Sequence, residues 1–278
     1  MGKTKIFLPF TRSLKSPGEF CSMNPIFINQ MKRIAIIGGS GLENPDLLQS
    51  RESIRIQTPF GEPSSDFLTG TIAGTAVVLL SRHGREHTIP PLQVNNRANL
   101  YAIQKLGCTH IVATTACGSL QERIGRGELV IPDQFIDFTK HRSTTFFGEF
   151  KPGEMKHTPM ADPFDKRLGD LLLESGKNLN LNIHHGGCIV TIEGPRFSTR
   201  AESRMFRNWG GDLINMSTAP ECILANELGI PYAAVAMATD YDSWKEDEMP
   251  VSWEEILEVF GKNVHNVVNL LLKVIPTI

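Results

Sequence analysis

Two aspartates one residue apart close an apolar run. Pro231-Tyr-Ala-Ala-Val-Ala-Met-Ala leads into Thr239-Asp240-Tyr241-Asp242-Ser243-Trp244. A run of that length, set between a Gly-Ile-Pro turn and acidic residues, predicts a buried parallel strand. In open α/β sheets the ligand crevice lies outside the carboxyl ends of the strands. Two carboxylates this close do not both ionise cheaply in a dry pocket, and the one that keeps its proton can donate it to a leaving group. Upstream, Asp212-Leu-Ile-Asn215-Met216-Ser217 predicts a neighbouring strand end, separated from the first by one crossover helix that stops at Gly229. An Asp-x-Asp after a strand also serves as a helix N-cap with a solvated neighbour, so the pair alone does not settle the chemistry.

A second group of residues suits an oxyanion. Lys32-Arg-Ile-Ala-Ile-Ile-Gly-Gly-Ser-Gly-Leu reads as a strand running into a Gly-rich turn. A dinucleotide fingerprint would need a third Gly or Ala where Asn44 stands. The alternative is a nest whose backbone N–H groups and Ser40 hydroxyl point at an anion. Phe67-Leu-Thr-Gly-Thr-Ile and Thr75-Ala-Val-Val-Leu-Leu-Ser predict a hairpin around Ala73-Gly74 that delivers Arg82 and His83 to a strand end. That cluster is either a solvated loop or a grip for phosphate, since a guanidinium is a fork of donors. Another buried strand from Cys108 ends in Thr114-Thr115-Ala116-Cys117-Gly118, where Thr115 and Ala116 offer a hydroxyl and a backbone N–H. Cys117 reads as a small buried filler, because no His/Asn pattern accompanies it.

The remaining elements position these groups. Helices are predicted from Asn95 to Leu106, ending at Gly107, from Asp165 to Leu179, and from Trp253 to Lys273. The last carries an apolar stripe that includes Ile256, Leu257, Phe260, Val264, Val267 and Leu271. Arg126 to Asp137 reads as one further strand. Gly187 to Glu193 reads as a strand, followed by a Gly-Pro turn and a helix capped by Ser198 or Thr199, with Glu202 placed for a capping box. Phe197 at that turn suits stacking on a flat ligand or ordinary core packing. His157, in an irregular stretch over residues 140–160, reads by itself more as structural than as functional.

With 278 residues, 41% of them hydrophobic, and no linker-like composition or internal repeat, one α/β domain is expected. A net charge of −2 gives no footprint for nucleic acid. No apolar run approaches the roughly 20 residues of a membrane span. Five cysteines without paired spacings fit a reducing, cytoplasmic setting. No His/Cys/Asp cluster has metal-ligand spacing, and no cofactor is expected. Residues 1–30 are set apart: basic, with Glu19 as the lone acid, and interspersed with proline. They are expected to be a poorly ordered extension, with Met23 or Met31 as candidate starts and a transit peptide as the alternative. The folded domain is expected over residues 31–278.

Gly38-Gly-Ser-Gly-Leu, Arg82-His-Gly-Arg-Glu-His, Thr114-Thr-Ala-Cys-Gly-Ser-Leu, Asp133-Gln-Phe-Ile-Asp, Thr191-Ile-Glu-Gly-Pro-Arg-Phe-Ser, Asn215-Met-Ser and Ala238-Thr-Asp-Tyr-Asp-Ser-Trp-Lys occur in order. Together they resemble the purine nucleoside phosphorylase superfamily, over Arg33 to Ile278, and within it the members acting on 5′-methylthioadenosine. The resemblance implies a single-domain mixed central sheet flanked by helices, a homotrimer, and phosphorolysis with inorganic phosphate as co-substrate. It implies that Ser40, Arg82, His83, Thr115, Ala116 and Ser217 bind phosphate and that Met216 packs on the ribose. Phe197 and Ser198 would bracket the purine, while Asp240 and Asp242 would read its edge, with Asp240 the general acid. His157 would reach the alkylthio pocket of a neighbouring subunit, which Trp253, Ile256 and Leu257 would also line. Aspartates rather than a Glu/Asn pair at the base imply a 6-amino purine. Ser40 and Ser217 stand where many members carry Thr, which keeps the hydroxyl. Trp253 stands where a smaller aliphatic is expected, which leaves open a preference for adenosine or 5′-methylthioinosine. From other classes, a nicotinamide-dependent dehydrogenase and a non-catalytic nucleotide-binding module remain as alternatives.

Overall fold

The computed structural model describes residues 32–38, 47–246 and 253–278; over 253–260 and at 262 it describes only the helical backbone. Eleven strands are found among these residues: β1 (Arg33–Gly38), β2 (Gln49–Ile54), β3 (Phe67–Ile72), β4 (Thr75–Ser81), β5 (His110–Ser119), β6 (Leu129–Ile131), β7 (Gln134–Phe138), β8 (Ile183–His185), β9 (Cys188–Ile192), β10 (Leu213–Asn215) and β11 (Tyr232–Tyr241). The helices are α1 (Asn96–Lys105), α2 (Lys166–Asn178), α3 (Arg200–Asn208), α4 (Thr218–Glu227) and α5 (Trp253–Val274). All the strands join one mixed sheet flanked by helices, as expected.

The sheet branches at β5. The first half of β5 lies between β1 and β11, parallel to both; at Gly118 and Ser119, β10 takes the place of β1 and runs antiparallel. From there the sheet continues through β9 to β7 on one branch and through β11 to β6 and β8 on the other. The strand ends carrying Asn215 and Asp240 are therefore neighbours across β5, not in a simple parallel pair. Along β1, Ile34 and Ile36 face one core, with α2 and α5, while Ala35 and Ile37 face the other, with α1 and α4. Burial on both faces is why these strands read as continuous apolar runs.

Local signals are obeyed where they are strong. Ala73 and Gly74 both take positive φ, 46° and 84°, the turn whose twist matches a β3–β4 hairpin. The Asn95 side chain accepts from Ala98 N (3.1 Å) to start α1, and Asp165 accepts from Leu168 N (2.8 Å) to start α2. Thr199, not Ser198, caps α3, with Glu202 completing the capping box.

The single strand expected from Arg126 to Asp137 is instead two. Pro132 has no N–H for a ladder, and the Asp133 carboxylate accepts from Gly187 N (3.0 Å). The chain turns there, so β6 pairs with β11 and β8, and β7 pairs with β9.

Candidate active site

The crevice opens where β5 branches. In the pattern of β5, Ala116 is exposed between buried Thr115 and Cys117, so the middle of a core strand faces open space. Residues from four other elements gather around it.

Arg82 follows β4 and is buried, and its N–H bonds to the carbonyl of Gly38. Its Nε and Nη2 donate to the two carboxylate oxygens of Glu221, the second at 3.0 Å, and Nη1 donates to Thr114 O at 2.9 Å. Burial works against the guanidinium charge, but the Glu221 carboxylate outweighs it and Arg82 is held ionised above its usual range. His83 is its opposite. Burial first, then the charge of Arg82, lowers its pKa to about 4, and Nδ1 lies 2.8 Å from Ile89 O. A carbonyl only accepts, so Nδ1 carries the hydrogen and Nε2 is an acceptor. The charge of Arg142 contributes in the same direction.

Asn215, at the end of β10, organises the next shelf. Its amide donates to Thr115 Oγ1 (3.1 Å) and Thr218 Oγ1 (2.6 Å), and its carbonyl accepts from Thr191 Oγ1 (2.9 Å). Ser217 stands at the N-terminus of α4 but makes no capping bond; its hydroxyl lies 3.2 Å from Thr115 Oγ1. Two hydroxyls beside a helix N-terminus make an anion-accepting surface. Met216 packs against Gly194, and Arg142 donates to Met216 O (3.3 Å) and to the Glu193 carboxylate (2.8 Å).

The aspartates sit over Gly118. A β-bulge at Thr239 lets Asp240 rather than Thr239 pair with Gly118, and so changes which face the aspartate points from. Thr239 Oγ1 donates to Asp240 Oδ1 at 2.7 Å. Asp242 is buried and accepts from the Ser198 hydroxyl, and Ser203 and Ser243 also favour its charged form. Burial nonetheless raises its pKa above the usual carboxylate range. Desolvation is the first cause of that rise. Cys117 is buried and its thiol is pushed up to about 12, which fits a filler and not a nucleophile.

Residues 33–276 match the family model described as the phosphorylase superfamily. The chain belongs to the phosphorylase superfamily. It is 51% identical to the S-methyl-5′-thioadenosine phosphorylase of Xenopus tropicalis, over 88% of this chain and 89% of that one. It is 49% identical to the Danio rerio protein of the same name, over 90% of each. Among solved structures, it superposes on methylthioadenosine phosphorylase from Schistosoma mansoni in complex with adenine with a TM-score of 0.83, at 42% identity over 88% of this chain and 91% of that one. A variant of the S. mansoni enzyme, there called adenosine/methylthioadenosine phosphorylase and in complex with methylthioadenosine, gives 0.81 at 41% identity with the same coverage.

Of the superfamily residues read from the sequence, the structure gathers Arg82, His83, Thr115, Ala116, Ser217, Met216, Ser198, Asp240 and Asp242 around this crevice. Phe197 is exposed at the turn before Ser198, so it is not core. Ser40 and the side chains of Trp253, Ile256 and Leu257 lie outside the described residues. His157 is exposed on the long β7–α2 connection, its ring 6.0 Å from Phe150 and apart from the crevice network of its own chain. Sequence reasoning missed Glu221, Tyr232, Arg142, Glu193 and Ser203. Of these, Glu193 and Tyr232 lie in stretches already singled out; the others carry no local signal, because their partners are distant in sequence. A cavity of about 710 Å³ at the opposite end of β11, lined by Asp133, Asp162, Phe164, Lys166 and Tyr232 among others, shares only Tyr232 with the residues just named. A smaller one of about 220 Å³ adjoins the site, between Ser198, Glu193, Gly194 and Phe206.

Proposed function

We propose that the chain cleaves S-methyl-5′-thioadenosine with inorganic phosphate, giving adenine and 5-methylthioribose 1-phosphate. One observation carries this reading. An oxyanion-accepting shelf of Arg82, Thr115 and Ser217 and a pair of aspartates converge on a single crevice. The half-identical relatives named for that reaction support it.

In this reading the C1′–N9 bond breaks ahead of phosphate attack, so the ribose becomes oxocarbenium-like and the departing adenine gains electrons. Asp240, aimed by the bulge and held by Thr239, delivers a proton to N7, a contribution of roughly 10²–10⁴ in rate. Asp242 accepts from the 6-amino group with the capacity left by Ser198. Phe197 and Ser198 bracket the purine, and Met216 packs on the ribose. Phosphate sits beneath the ring on Ser40, Arg82, His83, Thr115, Ala116 and Ser217, as nucleophile and as counter-charge to the developing cation. An oxygen of phosphate forms the new bond to C1′ as the bond to N9 is lost. This chemistry calls for no metal or organic cofactor.

We assign a homotrimer in which His157 reaches the alkylthio end of a neighbour's site, with Trp253, Ile256 and Leu257 lining the same pocket. A cytoplasmic setting agrees with free thiols at Cys108, Cys117, Cys188 and Cys222.

The name adenosine/methylthioadenosine phosphorylase borne by the S. mansoni neighbour favours a second reading, in which adenosine is also a substrate. Comparing kcat/KM for methylthioadenosine, adenosine and 5′-methylthioinosine tests both. A ranking with methylthioadenosine first supports the proposal. Comparable values for adenosine support the second reading, and turnover of the 6-oxo nucleoside alone overturns both.

A further inference from the structure

Arg82 has five N–H donors, and three of them are already engaged inside the protein. Nε and one Nη2 hydrogen go to the Glu221 carboxylate, and one Nη1 hydrogen goes to Thr114 O. One hydrogen on each terminal nitrogen is left. Glu221 in turn does not float. Its Oε2 also accepts from the Tyr232 hydroxyl at 3.0 Å, and Tyr232 is anchored at the start of β11. Arg82, Glu221, Tyr232 and Thr114 are all nearly inaccessible, at 2%, 1%, 1% and 1% exposure. Burial, and then Glu221, hold the Tyr232 hydroxyl protonated, so it stays a donor.

A buried ion pair of this kind is a poor source of stability. Removing both charges from water costs as much as their attraction returns, and apolar replacements are often as stable. Its geometry, however, is demanding: the carboxylate holds the guanidinium side-on, which fixes both the plane and the rotation of the fork. Thr114, on the other edge, precedes Thr115, whose hydroxyl faces Ser217.

We propose that Glu221, braced by Tyr232, is a positioning residue that fixes the two remaining N–H groups of Arg82 toward bound phosphate. This rests on the reading that Arg82 contacts phosphate. Glu221 itself touches neither substrate; it acts through Arg82.

The experiment measures steady-state kinetics of Glu221→Gln, Tyr232→Phe and Arg82→Gln, varying inorganic phosphate at saturating nucleoside and the reverse, with thermal unfolding measured alongside. A Gln side chain presents an NH₂ where a carboxylate oxygen stood, so one donor of Arg82 meets a donor and the fork must turn. Glu221→Gln is expected to raise the phosphate KM about tenfold, the worth of a hydrogen bond to a charged group, while the nucleoside KM stays within about twofold. Tyr232→Phe, which loses a brace and not the pair, is expected to raise it about threefold. A folded Glu221→Gln whose phosphate KM is unchanged or lowered overturns the inference, as does loss of stability with both KM values unmoved. If Glu221→Gln does not fold, an unchanged phosphate KM in Tyr232→Phe overturns it in the same way. An unchanged phosphate KM in Arg82→Gln would instead sink the underlying reading of Arg82.

Discussion

Gly194 and Met216 meet at the turn after β9, and replacing Gly194 by alanine is expected to destabilise the protein in a way that depends on Met216. Gly194 has φ of 67°. An alanine there pays a left-handed penalty of about 1–2 kcal/mol. Its Cβ would also overlap Met216 Sδ and lie 3.1 Å from Cγ and 3.4 Å from Cε. Overpacking typically costs about 1–3 kcal/mol, and a flexible thioether that can swing aside places this case near the lower end. The total for Gly194→Ala is then about 2–3 kcal/mol. In a Met216→Ala background the overlap is gone and only the backbone penalty remains. The double variant should therefore be about 1 kcal/mol more stable than the sum of the single effects predicts. Urea unfolding of the four proteins at one concentration measures this. If Met216 packs on the ribose as proposed, its displacement means that Gly194→Ala should also raise the nucleoside KM and leave the phosphate KM alone. Additive stabilities within about 0.3 kcal/mol, or a single-variant effect below about 1 kcal/mol, would refute the packing argument.

Asp240→Asn should lower turnover of methylthioadenosine by roughly 10² or more, since an amide does not deliver the proton; wild-type rates at neutral pH would remove Asp240 as the acid. His83 binds its proton more weakly in the folded protein, at about 4, than the ordinary 6.5. The unfolded chain therefore takes up more protons between those values, and stability falls as pH drops from 6.5 toward 4. His83→Gln should flatten that acid limb in a series of Tm measurements, and parallel slopes would contradict the assigned cause. Ser203→Ala removes a group that favours the charged form of Asp242 and the acceptor of Trp244 N (3.1 Å). A loss of about 1–3 kcal/mol on urea unfolding is expected, with a raised nucleoside KM, and a loss under about 0.5 kcal/mol would show that the latch contributes little.

What could be read from the chain itself was whatever a short segment encodes. Asn95 and Asp165 as caps, the Thr199–Glu202 box, the Ala73-Gly74 turn and the acidic end of β11 are each written in a few adjacent residues. The resemblance of ordered motifs then supplied roles that no spacing gives, such as Met216 on the ribose. Pairings across the sheet were not legible. The break at Pro132 depends on Asp133 finding Gly187, and the branch at β5 depends on β10 arriving antiparallel. The bulge at Thr239 is fixed by the register of β11 on β5, which apolar periodicity does not reveal. Glu221 stood in plain view in α4, but only its meeting with Arg82, 139 residues away, gives it a role.

The account stands or falls on phosphate as the attacking group. The direct measurement is adenine release from methylthioadenosine with and without inorganic phosphate, with ³¹P NMR following the sugar product. Release is expected only with phosphate, with one methylthioribose 1-phosphate formed per adenine. Adenine released at the same rate in phosphate-free buffer, with free methylthioribose as the product, would contradict it.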